Sequence, residues 1–294
     1  MRILTYLKNF FIYKPPYMEE TEEINKTNHN IKYDARKEQQ EPKISVYDDI
    51  NRNLQEIKEI FSVPKNNDFV IKQFTIKGDT KCFLIFYEGM IDTPTVNDFI
   101  IRSLMELPYE EKSEITHFAR EIRDKFIIHA QVNMTDSFDM LTEEVNFGSV
   151  ALFIDGLNQA FVLDVRKWEH RGITKPENEQ SIYGPQEAFA EMLRTNTILI
   201  RKILKTEKLI AEAVKIGTIS KTRGVLLYLD GVANEELINL VKARIQAISC
   251  DFVLSIEEVS HFIEDRSYIP TVQTLSTERP DRAARMLTEG RVVL

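Results

Sequence analysis

Histidine and acidic side chains at helical spacing are the first residues in this sequence that could do chemistry. Glu114, His117 and Glu121 would share one face of a helix, where imidazole and carboxylate groups could ligate a metal ion. His261, which follows two glutamates on another predicted helix, has the same character. Charged residues at this spacing more often form a solvated helix face, and the pattern favours that interpretation. We therefore predict no metal site.

A second candidate is the stretch GTISKT, Gly217–Thr222, which is similar to the end of a phosphate-binding loop. It has no glycine before its lysine, and it lies between two predicted strands instead of between a strand and a helix. The sequence contains no H-E-x-x-H, G-x-S-x-G or G-x-G-x-x-G motif. Cys82 and Cys250 are isolated, as expected for small apolar residues in a reducing compartment. We expect no enzyme and no cofactor.

The composition limits the class of protein. The chain has 294 residues, of which 43% are hydrophobic, so it is long enough for two domains with real cores. A formal net charge of −8 argues against a general nucleic-acid surface. No apolar run reaches the roughly 18 residues that a membrane span needs. Residues 14–43 are polar and lack a hydrophobic period, which predicts a flexible polar arm over 1–43.

The hydrophobic periodicity after the arm predicts helices and strands in alternation, and hence an α/β fold. In the first part it predicts a helix at 46–61, strands at 68–78 and 80–89, helices at 93–107 and 110–126, a short strand at 127–132, a short helix at 136–144 and a hairpin at 150–165. In the second part it predicts a helix from Gln186 to about Leu204, strands at 208–216 and 223–231, helices at 234–248 and 255–265, a short strand at 271–275, a helix at 279–289 and the start of a strand at 291–294.

The two parts repeat each other. FLIFYEGM and VLLYLDGV place Glu88 with Asp230 and Gly89 with Gly231, an offset of 142 (230 − 88 = 142). The same offset relates Gln131 and Gln273, Thr135 and Thr277, Asp136 and Glu278, Gly148 and Gly290, Val150 and Val292, and Leu152 and Leu294. The letters MLTE also occur twice, but 146 residues apart. These matches predict two tandem like α/β subdomains, each a small mixed sheet flanked by helices.

The predicted boundaries are 44–169 for the first subdomain, 170–183 for a linker and 184–294 for the second subdomain. The first copy runs on into a hairpin at the position that corresponds to the end of the second. We therefore expect the second subdomain to be truncated.

The stretch YGPQEAFAEMLRTNTILIRKIL, Tyr183–Leu204, predicts a capped amphipathic helix. Pro185 suits the first helical position, and Glu187 would lie in the first turn, where the helix dipole favours an acid. Basic residues load the last turn and the face opposite an apolar stripe. The pattern favours a solvated surface helix. The alternative is a basic face for an acidic partner chain or for membrane headgroups.

Three stretches together carry a family resemblance: GPQEAFAEMLRTNTILIRK, YLDGVAN and TERPDRAARMLTEGRVVL. With them the chain resembles the A subunit of the GerA family of bacterial spore germinant receptors, over roughly Phe69 to Leu294. The family usually has an arginine where this chain has Tyr183. The family pattern falls on Gly184, Pro185, Glu187, Phe189, Asn196, Arg201, Thr277, Glu278, Arg279, Pro280, Asp281, Glu289, Gly290 and Arg291.

The resemblance implies a role that the composition does not. It implies a soluble N-terminal domain on the cytoplasmic or spore-core side of the spore inner membrane, attached to membrane helices that follow it. It implies B and C subunits as partners, a homo-oligomer through the full-length A subunit, and a response to nutrients that ends in ion release. No nucleic-acid partner is implied.

Two functions remain open at this point, and an enzyme is disfavoured. The first is a regulatory and assembly domain that couples a nutrient receptor to a membrane gate. The second is a small-molecule binding module with the nutrient between the two subdomains. At the start of the last predicted helix, we expect Asp281 to favour the helix dipole and Arg279 to reach an acidic neighbouring element.

Overall fold

Two antiparallel sheets organise the chain in this computed structural model. The structure describes residues 45–76, 79–106, 131–167, 175–181, 183–264 and 273–294. The first sheet has the strand order β1-β2-β4-β5-β3, and the second consists of β6 and β7. The strands are β1 (Phe69–Ile76), β2 (Thr80–Tyr87), β3 (Gln131–Thr135), β4 (Val150–Ile154), β5 (Ala160–Asp164), β6 (Leu209–Ile216) and β7 (Thr222–Leu229).

Helices cover these sheets. They are α1 (Ile50–Ile60), α2 (Thr93–Thr95), α3 (Arg102–Glu106), α4 (Phe138–Asn146), α5 (Leu193–Ile203), α6 (Glu235–Ala247), α7 (Ile256–Ile263) and α8 (Pro280–Thr288), with a π-helical segment, Val96–Ile101, between α2 and α3. The predicted α/β class with two sheet-bearing parts is confirmed. The described strand pairs are all antiparallel, where mixed sheets were predicted. Short turns join β1 to β2, β4 to β5 and β6 to β7, which fixes the antiparallel direction of these three pairs.

The central strand β2 explains why its sequence is apolar at nearly every position. Leu84 and Phe86 face one core, which includes Ile100 and Leu104 beside the sheet. The alternate residues of β2 face a second core, to which α1 and α4 contribute. A strand with helices on both of its faces needs apolar side chains on both, as predicted.

The second sheet has the same layered arrangement. Leu226 and Tyr228 of β7 pack towards α6 and α7, in a core that includes Ile238 and Val259. The alternate residues of β7 pack towards α5 and α8, in a core that includes Leu287.

The internal repeat is visible in the backbone. β7 and α8 lie 142 residues after β2 and α4, residue for residue. α4 and α8 end in the same way: Gly148 N donates to Val145 O at 2.9 Å, and Gly290 N donates to Leu287 O at 3.0 Å. Both glycines have positive φ, 98° and 83°. The two MLTE stretches are not equivalent, because Met140 lies in the first turn of α4 and Met286 in the last turns of α8.

Some predicted elements differ from the structure or lie outside the described residues. The helix predicted from Gln186 begins at Leu193, and residues 183–192 are irregular. The described part of the short strand predicted at 271–275 has no strand. The helix predicted at 110–126, including Glu114, His117 and Glu121, lies outside the described residues, as does the arm. The division into 44–169, 170–183 and 184–294 stays a prediction.

Candidate functional site

The segment that precedes α5 is held to that helix by one asparagine. Asn196 accepts a hydrogen bond from Ala190 N at 2.7 Å and donates its amide to Ala190 O, also at 2.7 Å. Phe189 N donates to Glu278 O at 2.8 Å, which ties the same segment to the chain before α8. These bonds satisfy the backbone of the segment in an extended path, so it does not continue α5 towards Gln186.

The same device occurs in the first half. Asn53 of α1 accepts from Tyr47 N at 2.8 Å and donates to Tyr47 O at 2.7 Å. Val46 N donates to Asp136 O at 2.7 Å, as Phe189 N does to Glu278 O. The repeat therefore includes the helix that precedes each sheet and the segment before that helix.

Arg201 of α5 is the centre of a group of side chains, here called the junction cluster, that also contains Asn66, Asp68 and Tyr87. Its guanidinium donates to both carboxylate oxygens of Asp68, from Nε at 2.5 Å and from Nη2 at 2.7 Å. The Nη2 atom also donates to Asn66 Oδ1 at 2.9 Å and to Leu209 O at 3.1 Å. The side chain of Arg201 is only 3% exposed, so these partners must replace water around its charge.

An aromatic ring completes the surroundings of this arginine. The Arg201 Cζ atom lies 4.0 Å from the centre of the Tyr87 ring. Burial by itself lowers the pKa of Arg201, but the charge of Asp68, the neighbouring Tyr87 side chain and the hydrogen bonds to Asp68 together raise the pKa above its ordinary value. Burial also raises the pKa of the Tyr87 hydroxyl. The arginine is charged and the tyrosine neutral at any physiological pH.

The junction cluster joins the first half of the chain to the edge of the second sheet. Ala211 N of β6 donates to Asn66 Oδ1 at 3.1 Å, and Asn67 N donates to Ala211 O at 2.8 Å. Ala213 N donates to Asn67 Oδ1 at 2.7 Å. The loop before β1 thus covers the outer edge of β6 and supplies it with hydrogen-bond partners.

A second cluster, here called the clasp, links residues 177–179 to the N-terminus of α8. Glu179 Oε2 accepts hydrogen bonds from the Thr277 hydroxyl and from Glu278 N, the latter at 3.1 Å. Its other oxygen forms an ion pair with Arg282. The Thr277 hydroxyl, the Glu278 amide and Arg282 hold the pKa of Glu179 below its usual value.

The clasp is reciprocal, because Glu278 returns the contact. Its carboxylate accepts from Glu177 N at 2.9 Å, from Asn178 N at 3.3 Å and from the Asn178 side-chain amide. These donors lower the pKa of Glu278. Glu179 therefore binds the backbone of Glu278, while Glu278 binds the backbone of the two residues before Glu179, across about a hundred residues of chain.

Beside the clasp, Arg279 and Asp281 flank the first residue of α8, the buried Pro280. Arg279 pairs with Asp281 through two bonds, of 2.6 and 3.1 Å, and this pairing lowers the pKa of Asp281. The expected reach of Arg279 to a neighbouring acidic element is therefore wrong. Arg282, in the first turn of α8, makes that contact with Glu179.

The other residues of the family pattern have simpler surroundings. Gly184 and Pro185 lie in an exposed turn, and Gly184 has a φ of 129°. Glu187 precedes the start of α5 and so does not occupy its first turn as expected; it forms an ion pair with Lys202 at 2.7 Å. Glu289 lies 3.6 Å from Arg285 and 3.8 Å from Arg291, in exposed pairs that contribute little to stability. Gly290 is needed where it stands, because a Cβ there would lie 3.0 Å from Val232 O.

The groups considered first for chemistry form no catalytic arrangement in the described part. Glu258 accepts from Leu254 N at 2.9 Å and so caps α7, next to His261. The amides of Thr218, Ile219 and Ser220, which a phosphate loop would present, donate instead to the carbonyls of Cys250 and Asp251. Within the described ranges, no group of three histidine, cysteine or acidic side chains could hold a metal ion.

Of the residues that build these clusters, the sequence pointed to Arg201, Asn196, Thr277 and Glu278. It missed Asn66, Asp68, Glu179 and Arg282. The repeat could have indicated Asn53, which lies 143 positions before Asn196. Each of the two asparagines binds the backbone of the residue six positions before it. Nothing local marks Asp68 or Glu179, whose partners lie 133 and about a hundred residues away.

A cavity of about 260 Å³ lies under α1, against β1 and β2, and is lined by Ile50, Leu54 and Phe74 among others. It belongs to the first half alone. Where the two halves meet, the junction cluster makes direct hydrogen bonds, and no buried side-chain nitrogen or oxygen of the described residues lacks a partner.

Among the residues that the structure describes, no helix has both the length and the apolar character to cross a membrane.

Comparison with known proteins places these features in a family. A family model described as the Bacillus/Clostridium GerA spore germination protein matches residues 55–294. The chain is 28% identical to spore germination protein KA of Bacillus subtilis over 87% of its length, and 34% identical to the B. subtilis membrane protein YfkQ over 78%. It spans 47% and 44% of those two relatives, which is about half of each.

A solved structure matches the fold. The N-terminal domain of the A subunit of the Bacillus megaterium spore germinant receptor GerK3 superposes with a TM-score of 0.63 at 25% identity. The match covers 86% of this chain and 92% of that domain.

Proposed function

Because this chain belongs to the GerA family of spore germination proteins, we propose that it is the N-terminal domain of a germinant receptor A subunit that couples nutrient recognition to ion release. In this proposal it lies on the cytoplasmic or spore-core side of the spore inner membrane. It assembles there with B and C subunits, and the full-length subunit forms a homo-oligomer.

The proposal is supported mainly by the contacts that residues of the family pattern make. Arg201, Asn196, Thr277 and Glu278 all bind other parts of the same chain. They lock α5, α8 and the loop before β1 into one unit. A unit of this kind suits a part that transmits movement between partners, because elements joined by hydrogen bonds and ion pairs shift together.

The exposed turn at Tyr183–Pro185 supplies a surface for such a partner. Tyr183 is 93% exposed, and its side chain takes no part in the hydrogen bonds of the turn, which uses its carbonyl oxygen. Aromatic side chains on exposed turns are effective contact residues in protein interfaces. We assign this turn to contact with another receptor subunit.

The first experiment replaces the gene for the full-length protein in its own spores with variants. Deletion is expected to abolish the germination response and the accompanying ion release for at least one nutrient in a panel. Tyr183→Ala is expected to weaken the response and the co-purification of B and C subunits, while the melting temperature of this domain stays unchanged. Wild-type ion release from the deletion strain with every nutrient would overturn the proposal.

Asp281→Ala distinguishes a structural role of Asp281 from a role in signalling. A lower melting temperature of the domain, with a weaker response in proportion, assigns Asp281 to the fold. An unchanged melting temperature with failed germination assigns it to partner contact.

Thermal unfolding of this domain against amino acids, sugars and salts tests where the nutrient binds. The coupling role predicts no shift with any nutrient. A reproducible upward shift with one of them would show that this domain carries the ligand site itself.

A further inference from the structure

The turn between β6 and β7 and the loop between α6 and α7 are bonded to each other at one end of the second sheet. Ile219 N and Ser220 N of the turn donate to Asp251 O of the loop, at 3.0 and 2.9 Å. The Ser220 hydroxyl oxygen accepts from Val253 N at 3.3 Å, and the Thr222 hydroxyl donates to Val253 O at 2.6 Å. These bonds hold the turn and the loop together as one surface.

Four large apolar side chains of this surface, here called the apolar tip, are exposed: Ile219, Phe252, Leu254 and Ile256. Three of them are between 63% and 76% exposed, and Ile256, at the start of α7, is exposed to a smaller extent. Val253, by contrast, belongs to the core between the second sheet and α6 and α7. Large apolar side chains gathered at one exposed place mark a surface that contacts another protein or a lipid.

Three cations lie on the same hairpin as Ile219. Lys215 and Arg223 face each other in the register of β6 and β7, and Lys221 lies in the turn. All three are exposed, and among the residues that the structure describes none of them has an ion-pair partner. Like charges directly opposite each other on neighbouring strands destabilise a sheet. An anionic group bound here would offset that repulsion.

The acids of this region lie on the loop and on α7, not on the hairpin. Residues 213–229 contain no aspartate or glutamate, although the chain as a whole has a net charge of −8. Asp251 Oδ1 accepts from the Thr218 hydroxyl at 2.5 Å, and Glu258 accepts from a backbone amide of the loop at 2.9 Å. Glu257, in the first turn of α7, is exposed. The hairpin therefore presents positive charge on a chain that is negative overall.

We propose that this end of the second sheet docks on the surface of an anionic lipid bilayer. The apolar tip enters the boundary between headgroups and acyl chains, while Lys215, Lys221 and Arg223 bind headgroup phosphates. Apolar side chains beside lysine and arginine are the combination that binds a membrane interface. A protein partner fits this surface less well, because lysine is depleted at protein interfaces.

The inference goes beyond the proposed function, which places the domain beside a membrane but assigns no residue to the lipid. It is carried by the apolar tip and the hairpin cations and does not depend on nutrient coupling. Vesicle binding by the purified chain can fail while the full-length protein still responds to nutrients, so the two proposals fail separately.

Co-sedimentation of the purified chain with lipid vesicles tests the proposal. The chain is expected to bind vesicles of equal parts phosphatidylglycerol and phosphatidylcholine at least about tenfold more tightly than vesicles of phosphatidylcholine alone. Raising the salt from about 0.05 M to about 0.5 M NaCl should weaken this binding, because the added ions screen the attraction. Absence of binding to the anionic vesicles at low salt would overturn the proposal.

Two double variants separate the contribution of charge from that of the apolar tip. Lys221→Gln with Arg223→Gln is expected to weaken binding to the anionic vesicles roughly 10- to 30-fold, because two cations leave the membrane surface. Ile219→Ser with Leu254→Ser is expected to weaken it at least about tenfold, because less apolar surface enters the bilayer. All four side chains are exposed, so the melting temperature in the absence of vesicles should stay near that of the wild type.

Lys58→Gln with Lys65→Gln is the matched control, since it removes two exposed lysines from the first half of the chain and makes the same change in net charge. It should leave vesicle binding almost unchanged. Equal losses in this control and in the variant of Lys221 and Arg223 would show general attraction to the vesicles and overturn the proposed site.

A second copy of the chain is the other possible occupant of the apolar tip. If the chain binds no vesicles but self-associates in sedimentation, and Ile219→Ser with Leu254→Ser abolishes the association, a second copy covers the tip. The assignment to lipid is then wrong.

Discussion

Arg201 and Asp68 form a bidentate ion pair between α5 and the loop before β1, with N–O distances of 2.5 and 2.7 Å. The two residues belong to different halves of the internal repeat, and 133 positions of sequence separate them. Since the arginine is buried, its charge is stabilised within the described part of the chain by this carboxylate, Asn66, the Leu209 carbonyl and the Tyr87 ring. The pair is therefore a buried, charged contact between the two halves.

Arg201→Ala is expected to lower the free energy of unfolding by about 3–5 kcal/mol, because it leaves Asp68 and Asn66 without their partner in a buried site. Urea unfolding of the purified chain measures this. Lys202→Ala is the matched control, since it removes the neighbouring cation from a partly exposed pair with Glu187 and is expected to cost less than about 1 kcal/mol. Similar losses of unfolding free energy in the two variants would show that the junction cluster contributes no more to stability than a partly exposed ion pair.

Glu179→Gln is expected to reduce the dependence of stability on pH in the acidic range. The folded-state pKa of Glu179 lies below its ordinary value, so its carboxylate stabilises the fold above the unfolded-state pKa, and this contribution is lost as the pH falls through the folded-state pKa. The variant lacks that titration and should be less stable than the wild type at neutral pH, by about 1 kcal/mol.

Melting temperatures between about pH 3 and pH 7 measure the difference for Glu179→Gln. Glu177→Gln serves as its control, because only the backbone amide of that exposed residue takes part in the clasp. A Glu179→Gln curve parallel to that of the wild type would contradict the assigned role of the carboxylate.

Asn196→Ala removes both hydrogen bonds to Ala190 and is expected to cost about 1–2 kcal/mol. Residues 183–192 should then be cut faster by protease than in the wild type, because they lose their attachment to α5. Asn239→Ala, on the exposed face of α6, provides the comparison and should change neither quantity. Unchanged cleavage in Asn196→Ala would mean that the Phe189–Glu278 bond holds the segment by itself.

Gly290→Ala is expected to destabilise the chain more than Gly231→Ala. Both glycines have positive φ, so both variants incur the strain of about 1–2 kcal/mol that an L side chain meets in that region. Only at Gly290 does the added Cβ also press on a backbone carbonyl, that of Val232 at 3.0 Å, whereas nothing lies within 4 Å at Gly231. Thermal unfolding of the two variants side by side gives the answer, and equal losses would exclude a packing contribution.

The sequence by itself determined the α/β class, the order of most helices and strands, and the internal repeat. Each of these rests on short-range information: apolar runs in β2 and β7 predict buried strands, and Gly148 and Gly290 mark the ends of two equivalent helices. The same information brought Arg201 and Glu278 to attention through the family pattern, but it did not say what they bind.

Only the tertiary structure decided where α5 begins and which partners the signature residues have. Local periodicity extended the helix to Gln186, yet Asn196 and the carbonyl of Glu278 bind the backbone of residues 189–190 and hold it out of the helix. Likewise nothing in the neighbouring sequence identifies Asp68 or Glu179, because their partners are distant in the sequence and only the fold brings them near. Hydrogen bonds and ion pairs between distant parts of the chain leave no period in the sequence, and that is why the contacts that lock this domain together had to be seen in three dimensions.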